Sequence, residues 1–167
     1  QQPAAAEQRC WNHRIVNVLD AIPKKHQMAA STLLKTMPYA ETHVECERLR
    51  DQFSRRYRML APKAVERLHA DWERLVTFYQ FPKDHWPHVR TTNVVESPFA
   101  AVRLRTRAGK RYQRVESATA LIWKVLQVAE RTFRRLNAPE LLPAVYAGTP
   151  YVDGVQSPHV IRQEVAA

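Results

Sequence analysis

Glycine is nearly absent from this chain, with three residues in 167 against eleven prolines. So few glycines leave no phosphate-cradling loop and no nucleophile elbow, and none of G-x-x-x-x-G-K-[ST], G-x-G-x-x-G or G-x-S-x-G occurs. Nucleotide-binding and serine-hydrolase classes drop out. Only two cysteines are present, Cys10 and Cys46, which is no disulfide framework, and both are expected reduced. No apolar run reaches the roughly 18 residues of a membrane span, and the opening lacks a signal pattern, so the expected location is the cytoplasm. Acidic residues are in deficit, 16 against 26 Lys and Arg, for a formal charge of +10 and a pI near 10.1. That balance suits a polyanionic partner, nucleic acid first. Alternating apolar and polar runs are few, while 45% hydrophobic content supplies a core, so the expected class is mainly α, with helices punctuated by prolines.

What is present follows helical periods. After a polar, Ala-rich opening, Gln8 to His13 carries the bulky pair Cys10 and Trp11 without a cap before it, and reads as a short strand, the only convincing one in the chain. Ile15, Val16, Val18 and Leu19 predict a helix over His13 to Ala21 that stops before Pro23. Lys24 to Thr36 predicts a second, with Met28, Ala29, Leu33 and Leu34 on one side. Val44, Leu49, Phe53, Tyr57 and Leu60 make Ala40 to Leu60 a long amphipathic helix with arginines on its other faces. From Pro62 the residues Val65, Leu68, Trp72, Leu75, Val76 and Tyr79 predict one unbroken helix, packed on its predecessor as an antiparallel hairpin. Phe81 to His88 reads as a proline-bounded loop, with Trp86 as a packing anchor. Beyond the segment around Glu96, residues 108–114 form a basic loop. Ser117 caps a broad apolar helix that is expected to be well buried, Glu140 to Ala147 forms a short helix, and Gly148 to Ala167 reads as a weakly ordered tail.

Three arrangements could carry chemistry. Cys10-x-x-His13 has zinc-ligand spacing, and His43-Val-Glu-Cys46 would complete a Cys2His2 set, although Cys46 lies on the apolar side of its helix, where cysteine behaves as a small core residue. His69 with Asp71, and His85 with His88, lack a neighbouring nucleophile and read as solvated polar positions. The third is Arg90-Thr-Thr-Asn-Val-Val-Glu96-Ser-Pro, followed by Arg103, Arg105 and Arg107. Either Ser97 and Pro98 begin the helix with Glu96 just before it, or Asn93 caps and Glu96 closes a capping box. Arg103 and Arg107 share a face, which suits phosphate contact, and Trp86 and Tyr112 could stack on unpaired bases, although Trp86 reads first as a packing anchor.

Arg9-Cys-Trp-Asn-His13, Phe81-Pro82, His88-Val-Arg-Thr-Thr-Asn-Val-Val-Glu96-Ser97, Arg103-Leu-Arg-Thr-Arg107 and Arg134-Arg-Leu-Asn-Ala-Pro139 together resemble the C-terminal part of a Mutator-type bacterial insertion-sequence transposase. The resemblance implies the end of a ribonuclease H-like α/β core, with its last strand in 1–13, a helical insertion over 14–89, the Glu-bearing and C-terminal core helices over 90–147 and a tail over 148–167. It implies that Glu96 is the third carboxylate of an Asp-Asp-Glu set holding Mg²⁺ or Mn²⁺, and that Cys10 and His13 are the family's C-x-x-H signature. Arg90, Arg103, Arg105, Arg107, Lys110 and Arg111 become the DNA-binding candidates. The implied partner is DNA, as transposon ends and target, with self-association left open and no membrane or small-molecule substrate. Asp20, Asp51, Asp71, Asp84 and Asp153 do not match the two catalytic Asp positions. The expectation is that this chain alone binds no metal tightly and is inactive; the alternative is a non-catalytic helical DNA-binding module.

Overall fold

The computed structural model describes residues 6–157, apart from the side chains at 94 and 95. By contact density the chain divides into two units, residues 1–91 with 137–167, and residues 92–136. The chain is mainly helical, with one two-stranded sheet among the described residues.

In the first unit α1 (Trp11–Leu19), α2 (Lys24–Thr36), α3 (His43–Tyr57) and α4 (Pro62–His69) pack in sequence, with α1 also lying on α4. α2 has the bounds its periodicity predicts. The expected strand at Gln8 to His13 is not formed: Cys10 is the N-cap of α1, and Trp11 is its first residue. The physical reason lies in where the backbone donors go. Arg9 N–H donates to the Arg74 carbonyl at 2.7 Å and Trp11 N–H to the Arg90 carbonyl at 3.0 Å. These are single bonds to separate segments, not a ladder. The Trp11 indole is fully buried, donates to the Leu75 carbonyl at 2.8 Å, and meets Trp72 edge to face at 5.8 Å.

The core comprises Trp11, Val18, Leu34, Met37, Cys46, Phe53, Leu68, Leu75 and Phe78, all fully buried. The predicted stripe needs shifting in α2, while in α3 only its first member, Val44, is out of place. Met28 and Val44 are 84% and 73% exposed, while Ala30, Leu34 and Cys46 face inward. A periodic count tolerates such one-residue rotations, because the alternatives differ by only about 100° around the axis.

The unbroken helix expected from Pro62 to Tyr79 is instead three pieces. α4 ends at His69, Asp71 takes a left-handed conformation at φ 56°, α5 covers Trp72–Val76, and a 3-10 turn covers Thr77–Gln80. The break serves a buried charge. Arg14 is 6% exposed. It donates through Nη1 to the Arg67 carbonyl and through Nη2 to Asp71 Oδ2 at 3.2 Å. A continuing helix would carry Asp71 past this guanidinium. Asp71 also receives Arg9 at 3.9 Å and Arg74 at 3.6 Å.

The expected loop Phe81 to His88 is mostly helical turns, Lys83–His85 and α6 (Trp86–Val89). Trp86 is buried against Phe78 and Tyr79 at 5.2 and 4.9 Å, an anchor as expected. Residues 139–146 form a 3-10 turn and α9 (Leu142–Tyr146), close to prediction. The tail departs from expectation as far as residue 157. β1 (Tyr151–Val152) and β2 (Val155–Gln156) make a hairpin. It is fixed by buried Tyr151, by Asp153 Oδ1 accepting from His43 N–H at 2.7 Å, and by Gly154 exchanging bonds with Lys83 and Tyr79.

The second unit is α7 (Asn93–Ala108) packed on α8 (Val115–Glu130). Val115 opens α8 after Arg114, so Ser117 lies inside the helix and not at its cap. Nor is α8 well buried: none of its residues is, and Trp123 and Val128 are 64% and 55% exposed. A helix pair has only one mutual interface, so an apolar stripe this broad exceeds what α7 can cover.

Replacing Asp71 with Leu should destabilise by about 1–3 kcal/mol, by orphaning the Arg14 charge and forcing a branched residue to positive φ. Asp71→Asn, which tolerates that φ and still accepts a hydrogen bond, should cost less than half as much in a denaturant melt. Gly154 sits at φ 80°, where a Cβ would lie 2.9 Å from the Lys83 Cα. Gly154→Ala should therefore release the hairpin, read as faster limited proteolysis after residue 148 than in the parent chain.

Candidate nucleic-acid interface and acidic site

α7 begins earlier than the pairing of Ser97 with Pro98 suggests. Thr92 is its N-cap and Asn93 its first residue, which leaves Pro98 inside the helix as a buried residue. Proline lacks the N–H for one i to i−4 bond, but close to the helix start the remaining bonds carry the helix on. The Thr92 hydroxyl donates to Glu96 Oε1 at 2.5 Å, and Glu96 N–H donates to the Thr92 carbonyl at 2.9 Å. This is related to the capping-box expectation but shifted by one residue, with Thr92 in place of Asn93 and a hydroxyl in place of the backbone donor. Glu96 is half-buried in the first turns of α7, where the aligned peptide dipoles favour negative charge.

Beyond it the sign reverses. Arg103, Arg105 and Arg107 on α7, and Lys110 and Arg111 in the following loop, are all exposed, and no acidic residue occurs between Glu96 and Glu116. The loop turns on Lys110 at φ 50°, with Arg111 N–H donating to the Gly109 carbonyl at 2.6 Å. Tyr112 is 36% exposed and reaches the Thr106 carbonyl at 3.5 Å. Two open clefts of about 570 and 560 Å³ flank the α7–α8 seam, the larger bordered by Arg105 and Lys124.

Arg90 belongs to the first unit and already has partners. Its Nη1 donates to the Pro38 carbonyl at 2.7 Å, and its guanidinium stacks over the Tyr39 ring at 4.1 Å. Sequence reasoning assigned it to phosphate alone, and the proline-aromatic pair fifty residues upstream gives no local signal.

The Cys2His2 combination is not assembled. Cys10 and His13, with Arg9, Arg14 and Asn17, border a recess of about 210 Å³. His43 stacks on Tyr79 at 5.6 Å, and Cys46 is fully buried beside the same ring. Among the described residues no group of three or more His, Cys, Asp or Glu is placed to hold a metal ion. His69 and Asp71 are not merely solvated. His69 Nε2 meets Ser54 Oγ at 2.8 Å, and burial, assisted by Arg50, lowers its pKa. Asp71 holds Arg9, Arg14 and Arg74, a cluster that sequence reasoning missed because its members are spread over sixty-odd residues. Burial also lowers the Arg14 pKa, with repulsion from Arg9 adding to it and Asp71 opposing.

This basic helical chain belongs to the Mutator family of transposases. Residues 1–135 match the family described as "Transposase, Mutator family". It is 39% identical over 153 residues to the transposase for insertion sequence element IST2 of Acidithiobacillus ferrooxidans, covering 92% of this chain and 52% of that protein. It is 38% identical over 152 residues to the transposase for IS6120 of Mycolicibacterium smegmatis, covering 91% and 47%. The chain thus spans about half the length of these curated relatives. No solved structure matches it. No helix among the described residues is long and apolar enough to cross a membrane.

Burial pushes the Cys46 thiol up from an ordinary 9.0 to about 12. A folded-state pKa above the unfolded one contributes stability that is complete below about 9 and lost as pH rises towards 12. Alkaline melts should accordingly show a fall that begins near pH 9 and that Cys46→Ala reduces, the remainder belonging to the Tyr79 hydroxyl, whose pKa burial also raises. Iodoacetamide at neutral pH should label Cys10 well before Cys46, read by peptide mass spectrometry.

Proposed function

We propose that this chain carries the glutamate-bearing part of an insertion-sequence DNA transposase, with Glu96 as one carboxylate of the metal-binding set and the α7 arginines as its phosphate-positioning groups. The observation that carries the reading is local: a half-buried carboxylate in the first turns of α7, followed by six exposed cations, Arg114 included, with no acid among them, inside the region that matches the family. Two hard cations about 3.5–4 Å apart clamp the attacking and leaving oxygens in metal-assisted phosphoryl transfer. Mg²⁺ prefers octahedral oxygen coordination shared among carboxylates, waters and phosphates.

The described residues do not by themselves fit that group. Among the described residues Glu96 belongs to no cluster of three or more His, Cys, Asp or Glu placed to hold a metal ion. Mg²⁺ or Mn²⁺ would need the two Asp that the family resemblance implies, and no reaction step is assigned to this chain alone. What its own residues supply is the placement of one carboxylate, oriented by Thr92, and a positive field on α7 and its loop. On this reading the isolated chain neither cleaves nor joins DNA.

A second reading, a non-catalytic helical DNA-binding module, is favoured by the Thr92–Glu96 hydrogen bond, which gives Glu96 a structural task at the helix start. Glu96→Gln separates the two. In a protein that includes the two Asp, the substitution should abolish Mg²⁺-dependent strand cleavage while leaving DNA affinity and melting temperature close to the parent. A loss of melting temperature with cleavage retained would support the structural reading. In the chain itself, a Mg²⁺- or Mn²⁺-dependent nicking activity that is lost in Glu96→Gln would overturn the predicted inactivity.

A further inference from the structure

The turn between α3 and α4 carries a second basic feature, in the unit that does not hold Glu96. Residues 55–63 read Arg-Arg-Tyr-Arg-Met-Leu-Ala-Pro-Lys, four cations without an acid. Arg55, Arg56, Arg58 and Lys63 are all exposed, and none of them makes an ion pair among the described residues. The arginines nearer the start of α3 behave differently. Arg48 pairs with Glu45, and Arg50 pairs with Glu47 and Asp51, so the acids of this helix are spent on its first half. Charge is therefore segregated along α3, and its C-terminal end is left with cations that have no acidic partner, Arg56 lying over the Tyr57 ring at 5.7 Å.

At the tip of this turn, Met59 is 89% exposed, the most exposed large hydrophobic residue described, and Leu60 beside it is 43% exposed. Tyr57 is buried and anchors the end of the helix from beneath, stacked on Phe53 at 4.6 Å. Cations near a helix C-terminus also complement its dipole, but that effect fades within the last turn and gives no reason to expose a methionine.

We propose that this tip is a DNA-contacting wedge, in which Arg55, Arg56, Arg58 and Lys63 straddle backbone phosphates and Met59 enters the minor groove against a base step. Arginines flanking an exposed apolar residue are the chemistry of minor-groove insertion, where phosphate contacts offset the unstacking of one step. The inference rests on the DNA reading of the chain but concerns residues of the other unit, not those of α7. An anionic lipid surface is the competing partner for the same combination of groups.

The test compares the full chain with Arg55→Gln/Arg56→Gln/Arg58→Gln and with Met59→Ser, all solvent-facing changes, with circular dichroism melts confirming the fold. Binding to a short AT-rich duplex carrying 2-aminopurine is measured across salt from about 50 to about 200 mM, where each lost phosphate contact lowers the log–log slope by about 0.9. The triple variant should lower the slope by about 2–3 and weaken binding at least about tenfold at low salt. Met59→Ser should keep the slope and lose the 2-aminopurine enhancement that reports unstacking. A triple variant with the parent's slope and affinity overturns the site while leaving DNA binding through α7 standing. A Met59→Ser variant with the parent's fluorescence overturns the wedge. If the triple variant loses binding to equimolar phosphatidylserine–phosphatidylcholine vesicles but not to DNA, the tip is a lipid contact and the assignment is overturned. If the parent chain binds no duplex even at low salt, the DNA reading itself fails and this inference falls with it.

Discussion

A single buried guanidinium organises the larger unit. Arg14 lies in the contact between α1 and α4, almost wholly removed from water, with both Nη groups engaged and only its buried Nε without a hydrogen-bond partner. Its partners are the Arg67 carbonyl at the end of α4 and the Asp71 carboxylate just beyond it. Satisfying both requires the chain to leave the helix between them, which the left-handed Asp71 accomplishes. The restart at Trp72 then sets the indole against Trp11, and the Leu75 carbonyl becomes the acceptor for the Trp11 N–H. The first segment of the chain is thus held by the ends of helices formed some sixty residues later.

The smaller unit follows a different rule. α7 and α8 share one seam, and among the described side chains only Pro98 and Val102 are buried in it. Its polar chemistry is arranged along the axis of α7, with a carboxylate at the start and arginines towards the end. This order agrees with the helix dipole at both termini, so local electrostatics and the proposed phosphate-facing role require the same residues. Agreement between structural and functional demands means that the helix-start position of Glu96 is compatible with the role proposed for it.

Much of the helix content was legible because periodicity and caps are local properties. α2 has its predicted bounds, and Cys46 is the small core residue that its place on the stripe implied. The segment around Glu96 was legible as a motif, and of its two candidate helix starts the one at Asn93 lies one residue from the observed cap at Thr92. The break at Asp71, the partners of Arg90 and the hairpin at Tyr151 were not legible. Each depends on a group at least fifty residues away, and no window of the sequence contains both partners.

The sequence by itself determined the mainly helical class, the excess of positive charge, the absence of nucleotide-binding and hydrolase motifs, and the resemblance that the family match bears out. These follow from composition, period and residue order, which survive without knowledge of contacts. Tertiary structure decided where helices stop, which apolar residues face inward, and which cations remain available. An arginine in sequence is only a charge; whether it is consumed by a carbonyl, as Arg14 and Arg90 are, or left to solvent, as Arg55 and Arg103 are, is set by packing. Desolvation is the physical reason, because a guanidinium removed from water must find its acceptors within the fold, and an exposed one keeps its charge for a partner.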